Sequence, residues 1–349
     1  MLIGDLPQQL PQPGIRYLDA KASAIIHTLA YFSIFRHPLR QEELGKYLQF
    51  CPAPMEDSQD TLSNLVEMKL IERHEGFYFL ANQQQLVGIR IERNQRAELW
   101  NRRIERSARL ITQLPFVEGL ALTGSLSKGT QDPDGDIDFL LLSRAGRVWT
   151  SHFFFVLLLK TFPNAAERLP CANFKLAADH LTVRVKSLFT ATEILTLRPL
   201  TNKPLWKAFY RGNAWVAQFY PEWVPKESAA YENLEPCWLR MLVDRVLSGR
   251  FGDWFEGAVS RWLTGRMRRE DERKSHGDTQ QQRWLDRGEI GHSQQRQKAV
   301  RQAWEAALEN FESRNSVRLV RWQWELGNRI EEIGSSTPNA GHHGHGLAE

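Results

Sequence analysis

The chain has 349 residues, of which 42% are hydrophobic and 25% charged, and its formal net charge is +4. That length accommodates about two or three domains, and the mild positive balance suits a phosphate-bearing partner without requiring one. The cysteines, Cys51, Cys171 and Cys237, are far apart and form no CxxC pair, which argues against a structural zinc site or a disulfide framework and fits a cytoplasmic setting. The most apolar run, at 153–159, is too short to span a bilayer, so no membrane partner is expected.

Residues 1–20 read as a mobile leader, rich in Pro and Gln and without the apolar core of a signal peptide. Over 21–35, Ile25, Leu29, Phe32 and Phe35 recur at helical spacing. His37-Pro38 ends that helix, because proline disfavours helical geometry in the residue before it. Helices are predicted over 41–48 and 61–70, followed by a strand, a turn at Glu75-Gly76 and a second strand to Leu80. Helices followed by a hairpin resemble the small winged helix-turn-helix domains of transcription regulators, which implies such a unit over 21–93. Residues 94–114 form a polar helix carrying Arg96, Arg102, Arg103, Arg106 and Arg109, read as a solvated face.

The central domain is expected over 94–205. It begins with a strand at 116–123 and a turn or short helix at 124–128. A polar loop and a second strand at 136–143 follow, then a buried helix at 148–162. Further strands are predicted at 172–176 and 181–185, with a helix opened by threonine at 190–197. A helical domain over 206–333 holds tryptophans read as core. It contains a charged loop near 266–293 and a long helix over 295–333, in which Asn315 marks a potential break. The tail at 334–349 is predicted to be disordered, with His342, His343 and His345 as adventitious metal binders. The fold class is therefore α+β.

Chemistry concentrates in two short stretches: Gly119-Leu-Ala-Leu-Thr-Gly124-Ser125-Leu-Ser-Lys128-Gly129 and Asp136-Ile137-Asp138. Residues i and i+2 of a strand share a face. Asp136 and Asp138 therefore project together while Ile137 enters the core. Two adjacent carboxylates repel unless a cation lies between them. Mg²⁺ suits such a pair, since it accepts one or two carboxylates together with phosphate oxygens, and Mn²⁺ is the alternative ion. Gly124 lets the backbone approach a triphosphate, the Ser125 hydroxyl and nearby N–H groups can hold phosphates, and Lys128 adds a point charge. An EF-hand calcium loop is disfavoured, because Gly135 comes too early and Ser143 stands where a bidentate Glu is needed.

A strand ending in Gly-Ser, with Asp-x-Asp opening the next strand, resembles the signature of the nucleotidyltransferase superfamily of DNA polymerase β type. Cys171-Ala-Asn173-Phe174, 188–194, Asn213-Ala-Trp215 and Pro221-Glu-Trp223 also look like segments of a bacterial family that joins an N-terminal winged helix to a nucleotidyltransferase domain. The resemblance implies an N-terminal winged helix, a central mixed-sheet nucleotidyltransferase fold and a C-terminal α-helical region. It also implies Mg²⁺-dependent transfer of an NMP from an NTP to a hydroxyl of a small molecule, protein or RNA. Asp136 and Asp138 would bind metal and catalyse; Gly124, Ser125 and Lys128 would bind nucleotide.

Active members usually add a third carboxylate from a neighbouring strand. The strand at 172–176 has none, so that position falls to neutral Asn173 or to Asp179 just beyond it. Glu193 is read as a residue of a helix's first turn. General-base assistance is worth about 10²–10⁴ in rate, so both an active enzyme and a nucleotide-binding relic stay open. The other readings are a DNA-binding or ligand-sensing regulator with a degenerate fold, and a scaffold without chemistry. Nucleic acid is weakly supported as a partner, because the third helix region brings only Lys69 as a base against Asp60 and Glu67.

Overall fold

A short strand β1 (Arg16–Tyr17) leads into helix α1 (Ala20–Ile34), whose side chains from Ala22 to Phe32 are all buried. The computed structural model describes residues 14–51, 58–161, 170–225, 235–274, 285–286, 289–290 and 294–326. Helix α1 starts at Asp19, whose carboxylate accepts from the Ala22 N–H at 2.7 Å. A helix apolar on every side must be covered on every side. The strands and helices β2 (Leu39–Arg40), α2 (Gln41–Tyr47), α3 (Gln59–Glu67), β3 (Ile71–His74) and β4 (Phe77–Leu80) cover one side. The strands form an antiparallel sheet in the order β2-β4-β3. The β3–β4 turn falls at Glu75 and Gly76, both with positive φ, a geometry whose twist matches the flanking strands.

The predicted polar helix at 94–114 is two helices, α4 (Gln85–Leu99) and α5 (Asn101–Ile111). The break falls at Trp100, a buried side chain that packs with the core under α5. Arg102, Arg103, Arg106 and Arg109 are exposed, as a solvated face requires. Arg90 and Arg93 on α4 are buried, and the site depends on them.

The main sheet is built from β5 (Val117–Leu122), β6 (Ile137–Ser143) and β7 (Pro170–Ala177). Helix α6 (Gly124–Ser127) lies between the first two and α7 (Val148–Thr161) between the second and third. Then come α8 (Leu188–Thr196), β8 (Arg198–Pro199), α9 (Lys203–Gly212), a 3-10 turn at Ala214–Gln218, α10 (Trp238–Val246), α11 (Arg250–Lys274), β9 (Leu285–Asp286), β10 (Glu289–Ile290), α12 (Gln294–Asn315) and β11 (Val317–Arg318). The sheet has six strands in the order β8-β5-β6-β7-β10-β9. It is mixed: β5 and β6 are antiparallel, β6 and β7 parallel. Along β6, Ile137, Phe139 and Leu141 face the core under α5 and α7. Leu140 and Leu142 face the core shared with α1, α8, α9 and α12. That alternation turns Asp138 toward α1 and α8.

Several expectations change. No strand forms at 181–185, because the Leu181 carbonyl and Val183 N–H bond the Asn213 side-chain amide at 2.8 and 2.9 Å instead of a ladder. The helix at 190–197 starts earlier, capped by Ser187, whose hydroxyl accepts from the Thr190 N–H. The long helix expected to run to 333 stops at Asn315. Ser316 adopts a positive φ there, and β11 then pairs in parallel with β1, so the leader is structured from Arg16 onward. The segment at 266–293 is not simply a loop: α11 runs on to Lys274, and β9 and β10 extend the sheet beyond β7. Trp206, Trp215, Trp304 and Trp324 are core, whereas Trp238, Trp254 and Trp262 on α10 and α11 are exposed. The tail at 334–349 and its histidines lie outside the described residues.

His27, fully buried on α1, donates from Nε2 to the Val320 carbonyl at 2.9 Å. Burial lowers its pKa from 6.5 to about 3 against the raising effect of that hydrogen bond. Between those values the unfolded chain holds a proton that the folded protein does not, so stability falls as pH drops through this window. Urea unfolding from pH 7 to pH 4 should lose roughly 1.4 kcal/mol per pH unit to this one group. His27→Gln, a neutral donor, should remove that share of the slope; an unchanged slope would contradict the assignment.

Candidate active site

Strand β5 ends at Leu122, and the chain turns through Thr123 into α6. Gly124 has φ +68, and a Cβ there would lie 2.3 Å from Asp138 Oδ2. The glycine is thus required twice, by its backbone angle and by the carboxylate it faces. The Thr123 N–H donates to the Asp138 carbonyl at 2.9 Å, tying the two strand ends together.

The loop from Thr130 to Gly135 is held by a residue that the sequence does not single out. Gln131 is fully buried. Its Oε1 accepts from the Ser125 hydroxyl at 2.9 Å, and its Nε2 donates to the Asp136 carbonyl at 3.0 Å. A Cβ on Gly135 would strike that amide at 2.6 Å. One glutamine therefore sets the spacing between the Gly-Ser turn and the first aspartate. Helix α4 clamps the same loop: Arg96 donates to the Gln131 carbonyl at 2.9 Å and Arg93 to Asp132 at 3.0 Å. Arg36, at the end of α1, lies 3.6 Å from Asp132.

Of the residues that sequence reasoning brought forward, Gly124, Ser125, Lys128, Asp136 and Asp138 line one cavity of about 420 Å³. Its far wall is the end of α1, from Tyr31 to His37, and Arg296 of α12 borders it. Of the two residues named for a third position, Asp179 is set apart from the aspartates, and Asn173 is placed by its backbone register alone. Strand register pairs Asp138 with Cys171, not with Asn173; Asn173 falls where the register shifts between Phe139↔Ala172 and Leu140↔Phe174. Asp179 lies past the other end of β7, roughly 20 Å along the strand direction from Cys171, beside His180 at 3.2 Å. Because β6 and β7 are parallel, the residue after β7 cannot return to the start of β6.

Two other residues take up that space. Cys171 places its sulfur among the aspartates: a carboxylate oxygen of Asp136, one of Asp138 and the Cys171 Sγ all lie within 4.8 Å of one another. Glu193 reaches the cavity from the middle of α8, because Ser187 rather than Thr190 caps that helix. It accepts from the Thr123 hydroxyl at 2.9 Å and from Lys128 Nζ at 3.0 Å. Lys128 also donates to the Gly124 carbonyl at 3.1 Å, so the turn, the lysine and Glu193 form one unit. A search for a carboxylate on the neighbouring strand misses both residues, since Cys171 is no carboxylate and Glu193 is on a helix.

The charges are unevenly balanced. Burial, then the charges of Asp136 and Glu193, raise the Asp138 pKa to about 7 against the opposing effect of Arg296 and Lys128. Two carboxylates of the cavity, with a sulfur within 4.8 Å of both, fit a divalent cation. Asp136, Asp138 and Cys171 are the residues that would hold it.

Residues 105–175 match the family model described as a nucleotidyltransferase domain. The matched segment runs from α5 into β7 and contains the Gly-Ser turn, both aspartates and Cys171, which supports placing this segment in the nucleotidyltransferase superfamily. No curated protein and no solved structure matches the chain.

Asp138 ionises at a cost in the metal-free fold, and its raised pKa makes that cost appear as pH rises from 3.8 toward 7. Asp138→Asn should therefore stabilise the metal-free protein at pH 8 by on the order of 2 kcal/mol, less than the full shift because solvent screens a carboxylate that is only partly buried. At pH 4 the gain should vanish. Denaturant titrations at both pH values check this; a loss of stability at pH 8 would contradict it. Gly124→Ala should displace Asp138, seen as a lower melting temperature together with lost divalent-cation affinity.

Proposed function

We propose that the chain is a metal-dependent nucleotidyltransferase that moves a nucleoside monophosphate from an NTP to a hydroxyl acceptor, with Mg²⁺ as the expected ion and Mn²⁺ as its alternative. The observation that carries this reading is the convergence of Asp136, Asp138, Ser125 and Lys128 on one cavity inside the segment that matches a nucleotidyltransferase domain. Asp136 and Asp138 hold the cation, which when bound draws charge off the phosphate oxygens. Lys128 sets a positive charge at the Gly124–Ser125 turn for the triphosphate. Ser125 can turn its hydroxyl from Gln131 to a phosphate oxygen.

In the transfer itself, the acceptor oxygen bonds to the α-phosphorus and the bond from that phosphorus to the bridging oxygen breaks. Pyrophosphate leaves with the electron pair. The hydroxyl proton passes to a carboxylate of the group Asp136, Asp138 and Glu193.

For the N-terminal unit, the order of helix, short strand, two helices and hairpin, with sheet order β2-β4-β3, supports a winged helix. The outward residues of α3 are Gln59, Asp60, Ser63, Asn64 and Glu67. The outward face of α3 itself carries no cation and only Lys69 follows just past its end, whereas binding to DNA draws on phosphate contacts from Lys and Arg. The unit instead serves as a wall of the nucleotide cavity, through α1 and Arg36.

Calorimetric titration of ATP, GTP, CTP and UTP, each with and without Mg²⁺, tests the reading. Wild-type protein should bind at least one NTP only with the metal, and Asp136→Asn/Asp138→Asn should lose that binding. A folded wild-type protein that binds none of them under either condition would sink the assignment.

A further inference from the structure

We propose that Cys171 is the third protein ligand of the cation held by Asp136 and Asp138, and that the site therefore favours a thiophilic divalent ion of the Zn²⁺ class over Mg²⁺. This rests on the cation site of the preceding reading and adds the chemistry of the ion.

Register is the first ground. The parallel pairing of β6 and β7 sets Cys171 directly beside Asp138, with Ile137 beside Pro170. Paired residues on neighbouring strands share a face, so the thiol and the carboxylate meet because the sheet forms, whatever the loops do. The three ligand atoms lie within 4.8 Å of one another. Zinc bonds sulfur at about 2.3 Å and carboxylate oxygen at about 2.0–2.2 Å, so ligand atoms around one zinc sit about 3.2–3.7 Å apart. Small side-chain rotations close that gap.

The second ground is what the site does not offer a hard ion. Mg²⁺ demands an octahedron of oxygens and gives up water reluctantly. Among the described residues, the neighbouring strand supplies no carboxylate oxygen beside Asp138; Asp179, just past its last residue, is at the far end. Glu193 has both oxygens engaged, by Thr123 and Lys128. A thiolate, in contrast, is a soft donor that selects zinc-like ions over magnesium. Two carboxylates and a thiolate leave one position of a tetrahedron for a water or a nucleotide oxygen, the pattern of a zinc site open to substrate. On binding, the thiol proton is released to solvent, and the ligand set carries one negative charge beyond that of the ion.

Charge at the cavity supports the same site independently of the sulfur. Asp136, Asp138 and Glu193 face it together, against Lys128, which is bonded to Glu193, and Arg296 at its border, while Arg36 and Arg93 on its wall pair with Asp132. A divalent cation is the economical way to balance such a group.

Cobalt(II) added to the metal-free full-length chain tests the proposal, since a Co–thiolate bond gives a near-ultraviolet charge-transfer band that oxygen ligands do not. The wild type should show the band. Cys171→Ser should lose it while keeping a weak visible spectrum from the two aspartates, and Cys237→Ser should keep it, because Cys237 lies on the surface before α10. Equimolar Zn²⁺ should displace the cobalt, and a large excess of Mg²⁺ should not. Cys171→Asp should abolish the band and raise Mg²⁺ affinity about tenfold or more by supplying the missing oxygen ligand. Circular dichroism confirms that each variant is folded. A visible spectrum without the charge-transfer band in wild type, a band that survives in Cys171→Ser, or cobalt displaced as readily by Mg²⁺ as by Zn²⁺ would overturn the proposal. Each of those leaves Mg²⁺-dependent NTP binding, measured separately, to stand or fall by itself. No cobalt absorption of any kind, together with no metal-dependent NTP binding, would remove both readings.

Discussion

The site is organised around one electrostatic difficulty: Asp138 must keep its carboxylate half-buried and close to two others. Its neighbours are shaped by that demand. Gly124 lacks a side chain because any Cβ would occupy the place of the carboxylate oxygen. Ile137 and Phe139 bury themselves on the opposite face of β6, which leaves Asp138 no alternative orientation without a register slip. Lys128 and Arg296 offset part of the charge without removing it. Such a cost is offset where a cation is bound, which is the role proposed for this pair, and the nucleotidyltransferase match falls on this segment.

The N-terminal unit is joined to the site by buried polar contacts as well as by core packing. Arg90 bonds Glu43 at 2.6 Å and the Pro38 carbonyl at 3.2 Å, which fixes α4 to the end of α1 and the start of α2. Arg93 bonds the Phe35 carbonyl at 2.9 Å and Asp132 at 3.0 Å, so one guanidinium bridges α1 and the loop from Thr130 to Gly135. Removing Glu43 would leave the buried Arg90 charge uncompensated, a loss of the kind that costs about 3–5 kcal/mol. Helix α1 in turn packs against α12, and Trp304 donates to the His27 carbonyl at 3.3 Å. The cavity wall, the loop before Asp136 and helix α12 therefore share one framework. A displacement of α1 would be felt at Asp136 through Asp132, Gln131 and its amide.

Much of this was legible in the sequence because it depends on local rules. A Gly-Ser after an apolar run and an Asp-x-Asp opening another state their geometry through strand periodicity alone. The hairpin at Glu75-Gly76 and the helix ending before Pro38 are equally local. What escaped depends on register or on long-range contact. Cys171 matters only because β6 and β7 pair in parallel with a shift near Asn173, and no spacing rule reveals a bulge. Glu193 was misplaced because its helix is capped by Ser187 and not by Thr190, which moves it from the first turn to the middle. Gln131 sits among Asp132, Asp134 and Asp136 and attracts no notice, yet it links Ser125 to Asp136. Arg93 and Arg96 resemble their solvated neighbours on α5 in composition and differ only in what lies opposite them.

The central claim, a nucleotide and a divalent ion meeting at Asp136 and Asp138, is tested most directly by anomalous diffraction from crystals grown with Mn²⁺ and a non-hydrolysable NTP. The account predicts an anomalous peak between the two aspartate carboxylates, with the triphosphate lying along Gly124 to Lys128. A nucleotide bound elsewhere on the chain, or an ion peak away from both aspartates, would contradict it.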